Sequence, residues 1–366
     1  MKLTLDRAVL LKALEPAQRV VERRNTIPIL GNLLFDAKGG ALVISATDLD
    51  ILLRCTVPAE IAEPGALTLP AARLYDIVRK LPDGVSVSFD GNEQSCTVRS
   101  GRSRFQMQTL PESDFPDISA GELPHSFTLT PATIATLIDS TRFAICTEET
   151  RYYLGGIFLH HRDGKLFAVA TDGHRLARYR LDAPAGSEAM PGIILPRKTV
   201  EQIKTLAAGA KAEIEVALSS TKIRFTIGDT VLTSKLIDGT YPDYQRVIPQ
   251  ANGRVATLDR PLLAAASDRV ATISSERGRA VKLSFASTGL ALSVTNPDAG
   301  EARDEVDCEW EGDGFEIGFN AKYLAESLAV VGGDTVQIQL SEPGAPAIIQ
   351  SGDDADLLTV LMPMRI

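Results

Sequence analysis

The sequence predicts an α+β fold built from three repeats, each holding two helices and a set of antiparallel strands. Three observations predict it. The first is a period. Thr47-Asp48-Leu49-Asp50, Ala170-Thr171-Asp172-Gly173-His174-Arg175-Leu176 and Thr295-Asn296-Pro297-Asp298 each follow an alternating strand, at equal spacings of 124 residues. A recurrence of that size marks duplicated structural units. The second is alternation of apolar and polar residues on either side of helical stretches, in the same order in each repeat. The third is charge. The helical stretches 7–24, 71–80, 131–143, 197–208, 260–273 and 320–331 hold fifteen Lys and Arg against seven Asp and Glu. They carry +8 in a chain of formal charge -9, which leaves -17 elsewhere.

In the first repeat, 1–120, a strand at 2–5 leads into a helix with Leu10, Leu11 and Leu14 on one face. Pro16 is expected to break or kink that helix, because an interior proline costs about 3 kcal/mol. Strands at 30–37 and 41–45 flank a Lys38-Gly39-Gly40 turn of hairpin chemistry. A strand at 66–69 passes through Pro70 into the second helix, where proline suits the first turn. Strands at 85–89, 96–99 and 104–109 follow. The second repeat, 125–248, runs in the same order: strand 127–129, helix 131–143, strands 156–160 and 166–170 about an Arg162-Asp163-Gly164 turn, strand 192–196, helix 197–207, and strands 213–218, 222–227 and 230–236. The third, 252–366, has strand 256–258, helix 260–273, strands 280–285 and 290–295, strand 316–319, helix 321–330, and strands 335–340, 347–350 and 357–361. The joins at 117–124 and 249–254 are polar and proline-bearing, as boundaries should be.

Composition excludes several classes. Cys55, Cys96, Cys146 and Cys308 are far apart without a C-x-x-C, so neither a zinc site nor a disulfide framework is expected, and reduced thiols fit a cytoplasmic protein. No apolar run reaches the roughly 18 residues of a membrane span. His160-His161-Arg162-Asp163 lacks metal-ligand spacing and reads as a solvated hairpin. Asp172 with His174 could mimic an acid–base pair in a hydrolase or nuclease. No nucleophile motif, P-loop or G-x-G-x-x-G accompanies them. A scaffold for proteins alone is the other rival, and the basic helices speak against it. No cofactor is called for.

An acidic chain with basic helices can present one positive surface to phosphates. Helices pack about 9–10 Å apart, so six in a circle leave a hole of about 9 Å, whereas twelve leave about 25 Å. A DNA duplex is roughly 20 Å across. Only a ring closed by two chains would admit it, which predicts a homodimer joining the first repeat of one copy to the third of the other.

Stretches along the whole chain then match a known family. They include 26–34, 98–105, Arg151-Tyr152-Tyr153-Leu154, 170–176, Leu195-Pro196-Arg197-Lys198, Ser234-Lys235-Leu236, Tyr241-Pro242-Asp243-Tyr244, Ile317-Gly318-Phe319-Asn320 and Met362-Pro363-Met364-Arg365-Ile366. On these the sequence resembles the bacterial sliding clamps, the β subunits of DNA polymerase III. The resemblance implies three DNA-clamp domains per chain, with helices lining a ring, antiparallel sheets outside and head-to-tail dimerisation. It implies a non-catalytic processivity factor that encircles duplex DNA without sequence preference. It also implies tethering of polymerase III α, other polymerases, repair proteins and clamp-loader subunits through short apolar peptides.

Carried over by motif, a peptide pocket between the second and third repeats would be walled by Leu154, Thr171, Gly173, His174, Arg175, Leu176, Pro242, Arg246, Val247, Asn320, Tyr323, Val360, Met362, Pro363, Met364 and Arg365. Its rim near Gly344 and Pro346 looks divergent. Apolar walls would bury a Leu or Phe anchor, worth about 1.5–3 kcal/mol, and methionines adapt to varied partners. Arg175, Arg246 and Asn320 would orient the peptide backbone. For DNA, the candidates are Lys12, Arg24, Arg73, Arg79, Arg197, Lys198 and Lys204, with the loop residues Arg151, Tyr152 and Tyr153. Cations would meet phosphates without reading bases, as sliding requires, and the tyrosines could stack on exposed bases. For the dimer contact, Phe105 and Met107 alternate with Arg102, Arg104 and Gln106. The third repeat offers Ile273, Asp298, Glu301, Asp304 and Glu305, with Arg303 interrupting the acidic run.

Overall fold

The computed structural model describes residues 1–22, 26–119, 121–274, 280–352 and 354–365. The first repeat comprises β1 (Lys2–Asp6), α1 (Arg7–Val20), β2 (Asn32–Lys38), β3 (Ala41–Thr47), β4 (Ile51–Pro58), β5 (Glu60–Glu63), β6 (Gly65–Pro70), α2 (Ala71–Lys80), β7 (Ser86–Gly91), β8 (Ser95–Ser100) and β9 (Ser103–Gln108). The second comprises β10 (His125–Leu129), α3 (Pro131–Asp139), β11 (Gly156–Arg162), β12 (Lys165–Thr171), β13 (Arg175–Asp182), β14 (Ile193–Pro196), α4 (Arg197–Ala208), β15 (Ile214–Leu218), β16 (Lys222–Ile227) and β17 (Thr230–Lys235). The third comprises β18 (Arg254–Asp259), α5 (Arg260–Ala271), β19 (Ala280–Ala286), β20 (Gly289–Asn296), β21 (Gly300–Val306), β22 (Cys308–Trp310), β23 (Phe315–Asn320), α6 (Ala321–Val330), β24 (Thr335–Leu340), β25 (Ala347–Ser351) and β26 (Leu357–Leu361).

Helix α1 does not break at Pro16. It runs on to Val20, with Leu10, Ala13, Leu14, Ala17 and Val20 buried along one face. That burial outweighs the one backbone hydrogen bond the ring removes. Asp6 caps its start, accepting from Ala8 N at 2.7 Å and Val9 N at 3.1 Å. The third helix is shorter than its periodicity implies, ending at Asp139 before a 3₁₀ turn at Arg142–Ala144. There the Thr141 hydroxyl donates to Leu137 O at 2.8 Å, a side-chain alternative to continuing the helix. No helix among the described residues is long and apolar enough to cross a membrane.

The strands form sheets that ignore the repeat boundaries. The chain divides into two compact units: Met1–Ala135 with Pro184–Pro191 and Lys198–Leu236, and Thr136–Ala183 with Gly192–Arg197 and Ile237–Ile366. The first holds a sheet ordered β5-β1-β7-β8-β9 and another ordered β10-β15-β16-β17-β4-β3-β2-β6. The second holds β14-β11-β12-β13-β26-β25-β24-β18-β22 and β21-β20-β19-β23. So the last strand of the second repeat, β17, pairs with β4 of the first, Thr230 opposite Cys55 through Ser234 opposite Ile51. The last strand of the third, β26, likewise pairs with β13 of the second, Leu357 opposite Tyr179 through Leu361 opposite Arg175. The corresponding strands left over, β9 and β21, are open edges of their own sheets.

Candidate functional site

The pocket residues assemble within the second compact unit, around the turn between β12 and β13. Asp172 caps that turn, its Oδ1 accepting from His174 N at 2.9 Å and Arg175 N at 3.0 Å. Thr171 Oγ1 accepts from Gly173 N at 3.1 Å and donates to Arg175 O at 2.7 Å. Gly173 has φ +85°, and a Cβ on it would lie 2.7 Å from Arg151 Nη1. Only glycine fits there without moving that guanidinium.

Arg175, expected to orient a peptide backbone, is bonded within its own chain. Its side chain is 8% exposed. It donates to Asp172 Oδ2 at 3.1 Å, to Glu326 and to the Phe143 carbonyl, while its guanidinium lies 4.3 Å from the Tyr323 ring centre. Every face of this cation is engaged, so it staples the β13 turn to α6. Asn320 is also committed, its Oδ1 capping α6 by accepting from Lys322 N at 3.0 Å and Tyr323 N at 3.3 Å. Arg246 remains exposed, held only by Asp243 Oδ2 at 3.0 Å.

Leu154, Leu176 and Val360 share one apolar cluster with Tyr241, Tyr244, Ile248 and Ile348. These last four were not singled out from sequence, since burial of one strand face by a loop leaves no period. The chain end seals the site. Met362 N donates to His174 O at 2.9 Å and Met364 N to Gly318 O at 2.8 Å. The His174 ring stacks near Tyr323, centres 6.2 Å apart. Above the cluster Val247, Met362 and Met364 are 54%, 41% and 36% exposed. Exposed apolar side chains around a buried floor are what an apolar anchor needs. Pro242 and Arg365 are exposed and Pro363 half-buried, while near the divergent rim the Pro346 carbonyl accepts from Asn252 Nδ2 at 3.0 Å.

The basic candidates separate. Lys12 on α1, Arg73 and Arg79 on α2 and Arg197 at the start of α4 are exposed, and Lys204 is half-buried. Arg79 also pairs with Asp76 at 3.2 Å and lies over Tyr75. Arg24 lies outside the described residues. Lys198 is a correction: its ammonium donates to Val20 O at 3.0 Å, Glu22 at 3.2 Å and the nearly buried Asp48 carboxylate. It ties the end of α1 to the first-repeat turn while its side chain stays partly exposed. Arg151 is another, since it donates to Asp172 O at 2.7 Å and to both Glu148 carboxylate oxygens. Arg7, counted among the helix cations, is buried, donating to Val78 O at 3.0 Å and Arg79 O at 2.8 Å and so capping α2. Tyr152 is 58% exposed, whereas Tyr153 is half-buried against it, edge-on.

On the dimer candidates, β9 exposes Arg104 and, in the turn before it, Arg102, and half-buries Phe105. Met107 is buried in its own sheet, which leaves only its backbone for any partner. On the other open edge Glu301 and Glu305 are exposed, while Asp304 accepts from Arg269 Nε at 2.7 Å. Ile273 is half-buried beyond α5, and Asp298 is exposed in the turn before β21.

The catalytic rivals find no support in geometry. Asp172 and His174 are joined only by the turn's backbone bond, and no three His, Cys, Asp or Glu among the described residues cluster to hold a metal. Burial pushes the Cys55, Cys96 and Cys308 thiols up to about 11, so they stay protonated. The hairpin is exposed at Arg162 and Asp163 as read, but His160 is half-buried. It sits in a stack of rings, and burial lowers its pKa.

The chain matches family models for the DNA polymerase III beta subunit in order: the N-terminal domain over 1–119, the central domain over 128–243 and the C-terminal domain over 245–365. It is 47% identical to the beta sliding clamp of Caulobacter vibrioides and 39% identical to that of Pseudomonas aeruginosa, each over 100% of both chains. Among solved structures it is similar to the sliding clamp of Bartonella birtlesii bound to griselimycin, with TM-score 0.97 and 46% identity, each chain covered in full. Against Caulobacter crescentus pol III beta the TM-score is 0.96 at 47% identity, again with 100% of each chain covered. Three clamp domains matched from end to end make this chain a member of the beta sliding clamp family, the non-catalytic processivity subunit of DNA polymerase III.

Proposed function

We propose that two copies close head to tail around duplex DNA, with repeats 1–120, 125–248 and 252–366 as the clamp domains. The pocket around the β12–β13 turn would then hold apolar peptides of polymerases and of clamp-loader subunits. One observation carries the reading. Within the chain, the last strand of each later repeat pairs with the strand after the Thr-Asp turn of the repeat before it. Among the described residues, β9 and β21 are the strands in these places that lack that partner. A second copy supplies both at once, an isologous closure that leaves neither of these two edges open.

The register follows from the same rule. The β16–β17 hairpin, with Ile227 opposite Thr230, matches the β8–β9 hairpin, with Ser100 opposite Ser103. The β3–β4 pair matches β20–β21, with one residue added in the turn. Transferring the β4–β17 register to the open edges sets Gln106 opposite Glu301, Phe105 opposite Ala302 and Arg102 opposite Glu305. The same transfer sets Arg104 opposite Arg303, so the charges do not all favour the pairing. Arg102 with Glu305 attracts, Arg104 with Arg303 repels, and the register rests on the backbone edges. Lys12, Arg73, Arg79 and Arg197 would meet phosphates, and exposed Tyr152 could stack on an unpaired base.

Sedimentation equilibrium of the full chain tests the closure. A mass of twice 39.3 kDa is expected, and a monomer at micromolar concentration would end the ring reading. The pocket is tested by titrating a fluorescein-labelled hexapeptide bearing Leu and Phe. Met362→Ala should weaken its binding while the dimer mass stays the same.

A further inference from the structure

Four rings stack in sequence inside the second compact unit. Tyr241 lies on Phe158 with centres 4.7 Å apart and planes 5° apart, and Phe158 lies on His160 at 4.8 Å and 29°. His160 lies on Phe167 at 5.2 Å and 9°, and the Arg178 guanidinium ends the column 5.9 Å from the Phe167 centre. The sheet makes the column. Phe158 and His160 are two apart on β11 and so share a face, and the register sets Phe167 of β12 directly opposite His160. A hydrogen bond at 3.0 Å joins His160 Nε2 to the Tyr244 hydroxyl.

Both tyrosines belong to the segment that carries Pro242, Arg246 and Val247. It pairs with no strand. Its backbone hydrogen bonds, Arg246 N to Asp243 O and Ile248 N to Gln245 O, are both internal and 3.3 Å long. The Tyr241 hydroxyl reaches Val169 O only at 3.5 Å. Position on the sheet must therefore come from side chains. Tyr241 enters the ring column, and Tyr244 is fixed by His160.

We propose that the Tyr241–Phe158–His160–Phe167 column, locked by the His160–Tyr244 hydrogen bond, positions the 242–247 wall of the peptide pocket. His160 and Tyr244 are then positioning residues that act on peptide affinity without touching the peptide. The inference rests on the pocket reading above. Its physical basis is preorganisation, since a wall already in place spares the ordering cost at binding. Burial lowers the pKa of His160, which agrees with a ring partly withdrawn from water.

The test uses the full-length chain and the labelled hexapeptide. Tyr244→Phe keeps the ring and leaves His160 Nε2 without its partner, so affinity should fall about 3- to 10-fold. His160→Phe should do the same by removing a partner of the tyrosine hydroxyl, which keeps its contact with Gln245. The double variant His160→Phe with Tyr244→Phe removes both polar groups, and affinity should return to within about 2-fold of the parent. Amide exchange in 242–248 should quicken in the single variants only, at unchanged melting temperature. If the parent chain fails to bind the hexapeptide, the pocket reading falls. If it binds, and the single variants bind equally well or the double variant is weaker than either, the positioning inference is wrong.

Discussion

The turn after β3 and the turn after β12 occupy the same place in successive repeats, and their sequences diverge at the three positions that follow the shared Thr-Asp. Both begin with a threonine that accepts from the residue two on, Leu49 N and Gly173 N, each at 3.1 Å. In both an aspartate caps the turn, Asp48 for Asp50 and Ile51, and Asp172 for His174 and Arg175. In both the second carboxylate oxygen meets a cation, Lys198 or Arg175. The backbone takes the left-handed conformation at the third position in each, φ 81° at Leu49 and φ 85° at Gly173. Leucine tolerates that strain where nothing crowds it. Glycine is required where Arg151 closes over the turn. The third copy carries Asn296, which still caps Asp298 N at 3.0 Å but spends its amide on Ile273 O at 2.8 Å. One motif serves in turn as a helix tie, as a pocket wall and as a neutral brace. The repeat supplies the scaffold, and the cation that reaches its aspartate decides its use.

The largest break in that comparison should come from Arg175→Met. It strands Asp172 and Glu326 and empties the site beneath Tyr323, costing about 3 kcal/mol or more in denaturant unfolding of the second unit. Hexapeptide binding should vanish with it. Lys198→Met should destabilise the first unit by a smaller amount, because the side chain is already 35% exposed, and leave peptide affinity unchanged. Gly173→Ala should cost about 1–2 kcal/mol from its left-handed backbone and the contact with Arg151. Leu49→Gly, its counterpart, should change stability by less than about 1 kcal/mol, because relief of strain offsets loss of a half-buried side chain. For the basic helices, Lys12→Ala and Arg73→Ala should each reduce the salt slope of DNA binding by about 1. Lys198→Met should not alter that slope.

Acid offers a finer probe. The folded pKa of His160 lies below its ordinary 6.5, with burial the leading cause. The unfolded chain therefore binds more protons below that value, and the stabilisation is full above pH 6.5 and lost as pH falls through it. Thermal melts of the parent between pH 7.5 and 5.5 should show this decline, and His160→Phe should flatten it.

Much of this was legible in the sequence. The period of the Thr-Asp turns gave the three repeats, and alternation placed most strands. The strands β4, β13 and β21 that follow each turn were not located one by one, and their partners could not be. Alternation tells which face of a strand is buried but not which strand lies beside it. Charge was legible as a count and not as a direction. Arg7, Arg175 and Lys198 read like the exposed Lys12 and Arg73, yet each turns inward to carbonyls or carboxylates that only the fold brings near. His160 was misread for the same reason, since Tyr244 covers it from a position 84 residues away in the chain.

The central claim is that β9 of one copy pairs with β21 of another in the register used twice inside the chain. Disulfide trapping tests it. A chain carrying Gln106→Cys and Glu301→Cys, oxidised and run on a non-reducing gel, should migrate as a covalent dimer. The pair Gln106→Cys with Ala302→Cys, one residue out of register and on the opposite face, should stay largely monomeric. Monomer from the first pair, or equal trapping of both, would contradict the account.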